Sequence, residues 1–299
     1  MSSKKKEMEL RDDYGRPVTG LRISVTQECN LDCIYCHKEG QQGSDGLMSV
    51  EEIHNIVDVT GKLGVKKIKL TGGEPLMRKD IVDLVAEVSG VEGITDVSMT
   101  SNGTLLTDLA YELREAGLDR INISLDTLDP EIYSMITQSD SGYLRDVLDG
   151  LDNAVDAGFY PIKLNMVVLK NLNENSVKEL IDFTKRKKVM LQLIELIDKE
   201  SPMYLDLGAI EGKMRMQATK IRKRRMHGRM KYFVDDAEVE IVRPHGPEFC
   251  MNCRRLRVTS DGKFKLCLLR NDTVDIKDIK SSFLEAVKKR RPYITEKCL

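Results

Sequence analysis

The strongest constraint on the fold of this chain is a rhythm. Six short β-like runs recur, separated by segments whose apolar residues keep helical spacing. The runs are Leu21–Thr26, Lys67–Thr71, Val97–Ser101, Arg120–Leu125, Ile162–Val168 and Leu191–Ile197. Between the first two, Val50, Ile53, Ile56, Val57 and Leu63 fall on one helical face, with Ser49 placed to cap before Glu52. Ile81, Leu84, Val85 and Val88 repeat the pattern, as do Leu105, Leu109 and Leu113 before Gly117. Val147, Leu148, Leu151, Ala154 and Val155 do so again before Gly158. Strands alternating with helices predict a parallel sheet joined by right-handed crossovers. Six units are too few to close an eight-fold barrel. The expected fold is therefore α/β, an incomplete (β/α)6 TIM-like barrel, with ligands gathered at the carboxyl ends of its strands.

After Ile197 the rhythm stops. Met203–Lys220 fits one more helix, followed by the basic run Lys220-Ile221-Arg222-Lys223-Arg224-Arg225. Short strands at Val239–Val242, Leu256–Thr259 and Phe264–Leu268, with a turn at Asp261-Gly262, fill the remainder. The expected division is a partial barrel over residues 1–219 and a small C-terminal α+β domain over residues 220–299, closing the barrel mouth. No run of about eighteen apolar residues exists to span a membrane. The basic start Met1-Ser2-Ser3-Lys4-Lys5-Lys6 lacks the apolar stretch of a signal peptide, so a cytoplasmic location is expected. Forty-seven basic side chains oppose 48 acidic ones, leaving a net charge of −1. Any anion site must then be local, and the basic run reads as a solvated helix end rather than a nucleic-acid surface. His54 and His227 have no evident partner in the sequence.

The seven cysteines fall into groups, which in a reducing compartment suggests ligands rather than disulfides. Cys29, Cys33 and Cys36 form C-x3-C-x2-C directly after the first strand. Three thiolates on one loop can hold three irons of a four-iron cluster and leave the fourth iron open. Zinc with His37 as fourth ligand also fits. The run Cys33-Ile34-Tyr35-Cys36-His37 matches a haem-attachment pattern too, but that chemistry needs an exported chain and leaves Cys29 unused. Gly72-Gly73-Glu74-Pro75 follows the second strand. Its glycines permit close backbone approach and positive φ, and Glu74 offers a charge to an ammonium group. Taken alone, the tetrapeptide is a turn. Cys250, Cys253 and Cys267 form C-x2-C-x13-C, a spacing that favours structural zinc, with His245 nearby, slightly over iron–sulfur. Cys298 is a spare thiol.

The first triad, with Tyr35 just before its last cysteine, resembles the signature of the radical S-adenosylmethionine superfamily. That resemblance implies a four-iron cluster on Cys29, Cys33 and Cys36, whose open iron is chelated by S-adenosylmethionine (SAM). Reductive cleavage then yields a 5′-deoxyadenosyl radical. It further implies that Tyr35, Gly72, Gly73, Glu74, Pro75 and Ser124 contact SAM. The stretch Cys253-Arg254-Arg255-Leu256-Arg257-Val258-Thr259, with Asp261-Gly262 and Cys267, is similar to the GTP 3′,8-cyclase family of molybdenum cofactor biosynthesis. So are Leu21–Thr26, Leu70–Met77, Thr100-Ser101-Asn102-Gly103, Asn122–Asp126 and Lys163–Val168.

This second resemblance implies a second four-iron cluster on Cys250, Cys253 and Cys267. It also implies GTP contacts from Arg22, Lys69, Thr100, Lys163, Arg255, Leu256 and Arg257. The implied partners are an electron donor of flavodoxin or ferredoxin type and a downstream cyclic pyranopterin synthase, with a homodimer as the assembly. Neither a membrane nor a nucleic acid is implied. The residues themselves agree with a triphosphate: Arg22, Lys69 and Lys163 lie on candidate strands, where a cation is costly unless it meets an anion. No Walker A loop is present, so side chains must hold the phosphates.

Three departures from the family pattern stand out. The chain ends Lys297-Cys298-Leu299 rather than in a Gly-Gly tail. Gln192 and Ile197 stand where many relatives have arginine and methionine, and Lys69 replaces a frequent arginine. Two rivals compete: another radical enzyme with an auxiliary cluster, of peptide-maturase type, and a non-catalytic zinc or iron–sulfur module binding RNA.

Overall fold

A computed structural model describes residues 9–41, 46–224 and 226–293. Arg225 of the basic run, Cys298, the chain's terminal Lys297–Leu299 and the Met1–Lys6 start lie outside these residues. Strand β1 (Gly20–Ser24) leads through α1 (Val50–Lys62) to β2 (Lys67–Thr71); α2 (Ile81–Ser89), β3 (Asp96–Ser101), α3 (Leu106–Glu115) and β4 (Arg120–Ser124) follow. Two helices, α4 (Pro130–Thr137) and α5 (Tyr143–Asp156), precede β5 (Lys163–Val168), and α6 (Val177–Lys187) precedes β6 (Met190–Glu195). Helix α1 starts where the sequence places it. Ser49 Oγ accepts from Glu52 N–H at 3.1 Å, while the Glu52 carboxylate accepts from Ser49 N–H at 2.7 Å.

The remaining elements are α7 (Gly208–Gln217), β7 (Lys220–Lys223), β8 (Met230–Val234), β9 (Ala237–Val242), α8 (Pro247–Met251), β10 (Arg255–Val258), β11 (Lys263–Lys265), β12 (Thr273–Asp275) and α9 (Ile279–Lys289). Helix α7 is shorter than the expected Met203–Lys220. The basic run is a correction as well: Lys220–Lys223 form an exposed strand paired antiparallel with β8, not a helix end. Alternation explains it, because Lys220 and Arg222 both lie over the Phe233 ring of the neighbouring strand, at 5.8 and 5.6 Å.

Among the described residues the strands join one open sheet in the order β12-β11-β10-β1-β2-β3-β4-β5-β6-β9-β8-β7. The six expected units are β1–β6, all parallel. Two strands from the C-terminal region extend the parallel run, β10 beside β1 and β9 beside β6. This gives the architecture of a partial TIM barrel with a C-terminal addition. Because β9 and β10 border opposite sides of that run, the chain between them must pass from one border to the other. That connection carries Cys250 and Cys253.

Alternation along the strands then sorts the side chains. Leu21, Ile23, Ile68, Leu70, Ile121, Ile123, Leu191, Leu193, Leu256 and Val258 are buried in the main core. The intervening residues align across the sheet. Arg22 is in register with Arg257 on one side and Lys69 on the other. Thr100 pairs with Asn122, Asn122 with Lys163, Asn165 with Gln192, and Gln192 with Glu240. Parallel sheets usually carry apolar residues on both faces. Here a polar belt runs along the interior face.

The loops above β1 and β2 interlock. Gly73 N–H donates to Thr26 O (2.9 Å) and Glu74 N–H to Glu28 O (2.7 Å). A Cβ on Gly72 would lie 2.4 Å from Thr26 O, and one on Gly73 only 2.1 Å from Glu28 O. The expectation of positive φ fails here, since neither glycine is among the residues with φ above zero. They are required for close approach alone. Gly73→Ala should therefore cost about 1–3 kcal/mol of stability, as overpacking against rigid backbone does. Denaturant unfolding checks this, and an unchanged midpoint would show that the loops are not held together here.

Candidate active site

The cysteines of both triads open onto one cavity of about 370 Å³, which Arg22, Tyr35, Lys69, Gly72, Gly73, Thr100, Ser124, Arg255 and Arg257 also line. The first triad sits on the loop after β1. Asp32 N–H and Ile34 N–H donate to Thr137 O and Ile136 O, at 3.1 and 2.9 Å, fastening the loop to the end of α4. Within it, Cys36 N–H donates to Cys33 O at 2.9 Å, making the tight turn that sets the two thiols near one another. Tyr35 OH donates to Asp126 Oδ2 at 2.6 Å, and the other Asp126 oxygen accepts from Val167 N–H at 2.7 Å. Burial raises the Asp126 carboxyl to about 6.

Glu74 is fully buried and does not line the cavity. Its oxygens accept from Leu76 N–H (3.0 Å), Ser101 Oγ–H (2.8 Å) and Asn102 N–H (2.6 Å), so it ties the Gly-Gly-Glu-Pro loop to the end of β3. Burial lifts it to about 7 against the pull of those donors. Pro75 is buried at the start of the single turn that follows.

The second triad is backed by a buried charge cluster. Asp12 accepts from Arg16 Nε at 2.8 Å and from Arg290 Nε at 2.9 Å, with Arg16 and Arg290 only 4% and 1% exposed. Arg290 donates to Cys253 O at 2.8 Å, and Arg16 to Cys250 O at 3.2 Å. Cys250 Sγ accepts from Tyr293 N–H at 3.2 Å and lies 3.9 Å from Arg16 Nη1. Arg16 Nη2 has no hydrogen-bond partner among the described residues. Two guanidinium groups against one carboxylate leave positive charge beside the thiols, a setting suited to thiolates carrying a metal group.

Among the described residues, no three His, Cys, Asp or Glu side chains converge as ligands of one metal ion would. Neither His37 nor His245 completes a compact four-ligand zinc site. His245 Nε2 instead meets Leu196 O at 3.3 Å. Three thiolates lining one cavity can hold three irons of a four-iron cluster. Burial raises the Cys29, Cys33 and Cys267 thiols above their ordinary value, so binding metal there must release protons.

The cavity wall is rich in cations. Arg22 and Arg257 both pair with Glu39, a buried carboxylate that also accepts from Thr71 Oγ1–H at 3.0 Å. Burial opposes ionisation of Glu39, yet the two arginines outweigh it and hold the carboxyl well below the usual range. Lys69 Nζ donates to Thr100 Oγ1 at 3.1 Å. Burial, then Arg22 and Arg255, depress its pKa strongly. Lys163 is placed differently. It is 4% exposed, lies off the cavity and donates to Glu240 Oε2 at 2.8 Å. A carboxylate of this chain thus meets its charge. Leu256 is buried in the core between the two arginines.

Sequence reasoning missed Glu39, Asp126, Glu240 and the Asp12–Arg16–Arg290 cluster. Glu240 left a signal, an acid between Val239 and Ile241 on a strand; Glu39 left none beyond its nearness to Cys36. His227, without an evident partner in the sequence, is buried and stacks on Phe249, ring centroids 3.8 Å apart.

The profile of the Radical SAM superfamily matches residues 23–184, and that of Molybdenum Cofactor Synthesis C matches residues 203–290. A probable GTP 3′,8-cyclase of Methanothermobacter marburgensis is 46% identical, covering 96% of this chain and 99% of the relative. One of Pyrococcus abyssi is 47% identical, over 96% and 100% of the two chains. Among solved structures, Streptococcus suis SuiB bound to S-adenosylmethionine superposes with a TM-score of 0.67 at 14% identity, covering 94% of this chain and 66% of that one. The structure of anSMEcpe with bound AdoMet gives 0.66 at 17%, over 91% and 80%. These two likenesses establish the fold. With the cysteine loop, the interlocked glycines and near full-length identity in agreement, the chain belongs to the radical SAM superfamily, in the family of the probable GTP 3′,8-cyclases.

Proposed function

We propose that this protein is a GTP 3′,8-cyclase that converts GTP to (8S)-3′,8-cyclo-7,8-dihydroguanosine 5′-triphosphate, an early step of molybdenum cofactor biosynthesis. One observation carries the reading: two cysteine triads, one from each matched region, face the same cavity, and a row of half-buried cations lies in register beside them. Cys29, Cys33 and Cys36 would hold one four-iron cluster, and Cys250, Cys253 and Cys267 a second. Bound at the first triad, the cluster and SAM supply one-electron reduction and hydrogen-atom abstraction from the GTP ribose.

The chain's own share is placement. Tyr35, Gly72, Gly73 and Ser124 line the wall beside the first triad and would receive SAM. Glu74 and Pro75 would act from behind, fixing the loop. Arg22, Lys69, Thr100, Arg255 and Arg257 would hold the triphosphate, guanidinium forks matching phosphate oxygens. Substrate phosphates entering there must displace Glu39 from Arg22 and Arg257 or share them with it. Lys163 would contribute through Glu240, and Leu256 by setting the two arginines on one face. The C-terminal region, which brings Cys250, Cys253, Arg255 and Arg257 to the cavity wall, would help exclude water that would quench a reactive carbon centre. An electron donor of flavodoxin or ferredoxin type would serve the first cluster, and a cyclic pyranopterin synthase would take the product. A homodimer and a cytoplasmic setting accord with this reading. Among the described residues no helix is long and apolar enough to cross a membrane.

Anaerobically reconstituted, reduced protein given SAM and GTP is expected to form 5′-deoxyadenosine and consume GTP. Cleavage of SAM without loss of GTP would overturn the substrate. Iron analysis should return about eight irons per chain, falling to about four when Cys250, Cys253 and Cys267 are all replaced by alanine. Equal iron in the two proteins would remove the second cluster. Arg257→Ala should retain wild-type iron yet lower kcat/KM for GTP roughly tenfold to a hundredfold, the loss of a charge-assisted pair.

A further inference from the structure

The turn between β7 and β8 reaches the cavity from a segment that supplied no site residue to the sequence analysis. Arg224 N–H donates to Arg229 O at 2.8 Å, closing the hairpin around a single helical turn at Met226–Gly228. His227 has φ 59° and Gly228 φ 60°. A Cβ on Gly228 would lie 2.8 Å from Glu248 Cγ, so the turn sits hard against α8. His227 N–H donates to Asn252 O at 3.1 Å, and its ring stacks on Phe249. The turn is therefore fastened to the loop that carries Cys250 and Cys253. His227, Phe249 and Arg229 all line the cavity.

Arg229 is the residue this scaffold presents. Its side chain is 10% exposed, and its Nε has no hydrogen-bond partner among the described residues. Its nearest carboxylate is Glu240, with Nη1 3.6 Å from Oε2, an ion pair too long for a hydrogen bond. Glu240 already accepts from Lys163 at 2.8 Å, from Gln192 at 3.0 Å and from Arg224. One carboxylate thus serves three cations, and a surplus of positive charge stays buried, which is costly without an anion. Arg255 adds to that surplus. It has no salt-bridge partner among the described residues, and burial followed by Arg22, Arg229 and Arg257 pulls its pKa down to about 9. Arg229 and Arg255 both line the cavity wall.

We propose that Arg229 is a further substrate-binding residue: with Arg255 it grips a phosphate of the nucleoside triphosphate, its Nε and an Nη forming the fork. The proposal rests on the substrate reading given above. Glu240 keeps the guanidinium in place without using its donors, and the His227–Phe249 stack fixes the turn.

The test is equilibrium binding of GTP, GDP, GMP and guanosine to anaerobically reconstituted wild-type protein, Arg229→Ala, Arg229→Lys and, as an exposed control, Arg222→Ala. Arg229→Ala should weaken GTP about tenfold while guanosine changes less than twofold. Arg229→Lys should fall between, since it keeps charge and loses the fork. Arg222→Ala should match wild type. SAM binding, measured without nucleotide, should be unaffected by each substitution.

If Arg229→Ala fails to fold, as judged by thermal unfolding, Arg229→Gln takes its place with the same expected selectivity. A GTP affinity within twofold of wild type in the folded variants overturns the assignment. So does weakened SAM binding with GTP unchanged, which would give Arg229 to the SAM carboxylate instead. Wild-type protein that binds no GTP while binding SAM would instead refute the substrate reading itself.

Discussion

Positive charge largely withdrawn from solvent on the inner face of a parallel sheet shapes this molecule more than any other single constraint. Arg22, Lys69, Arg257 and Lys163 replace the apolar residues that normally fill such a face. Each costs free energy to desolvate, and the chain offsets that cost with two buried carboxylates, Glu39 and Glu240, which are outnumbered. The cavity is thus under-neutralised by construction. Breaking either carboxylate cluster would leave bare charge in the interior, so the same residues hold the barrel's inside together and prepare it for an anionic guest.

The cysteine loops obey a related logic. Neither is held by its cysteines. The first is fixed by backbone bonds to α4 and by the glycines of the next loop, which let two chains pass where any Cβ would collide. The second is fixed by Arg290 and Arg16, which bring residues from both ends of the chain onto the carbonyls of Cys250 and Cys253. Thiols fixed by their surroundings keep their spacing before metal arrives, which is what preorganisation of such a site requires.

Much of this was legible in the sequence. Periodicity alone placed six parallel units, because apolar spacing of two and of 3.6 residues is set by local geometry. The cysteine spacing named both triads. The Gly-Gly pair was recognised for close backbone approach, which the structure bears out, and for a positive φ, which it does not adopt. What escaped were residues whose meaning depends on a distant partner. Lys163 reads in the sequence as a cation that needs an anion, and only the fold shows Glu240 against it. Lys220–Lys223 looked like a helix end because nothing local reveals that Phe233 lies beneath it.

The sequence by itself determined the β/α alternation, the two cysteine triads and the superfamily to which they point. These follow from short-range patterns that survive without knowledge of the fold. Only the tertiary structure decided that β9 and β10 extend opposite borders of one sheet, so that the connection carrying Cys250 and Cys253 crosses to the cavity that the first triad also lines. It alone decided which cations are neutralised and which remain unmatched. The physical reason is that strand register and ion pairing are long-range choices, governed by how buried faces meet rather than by the residues next along the chain.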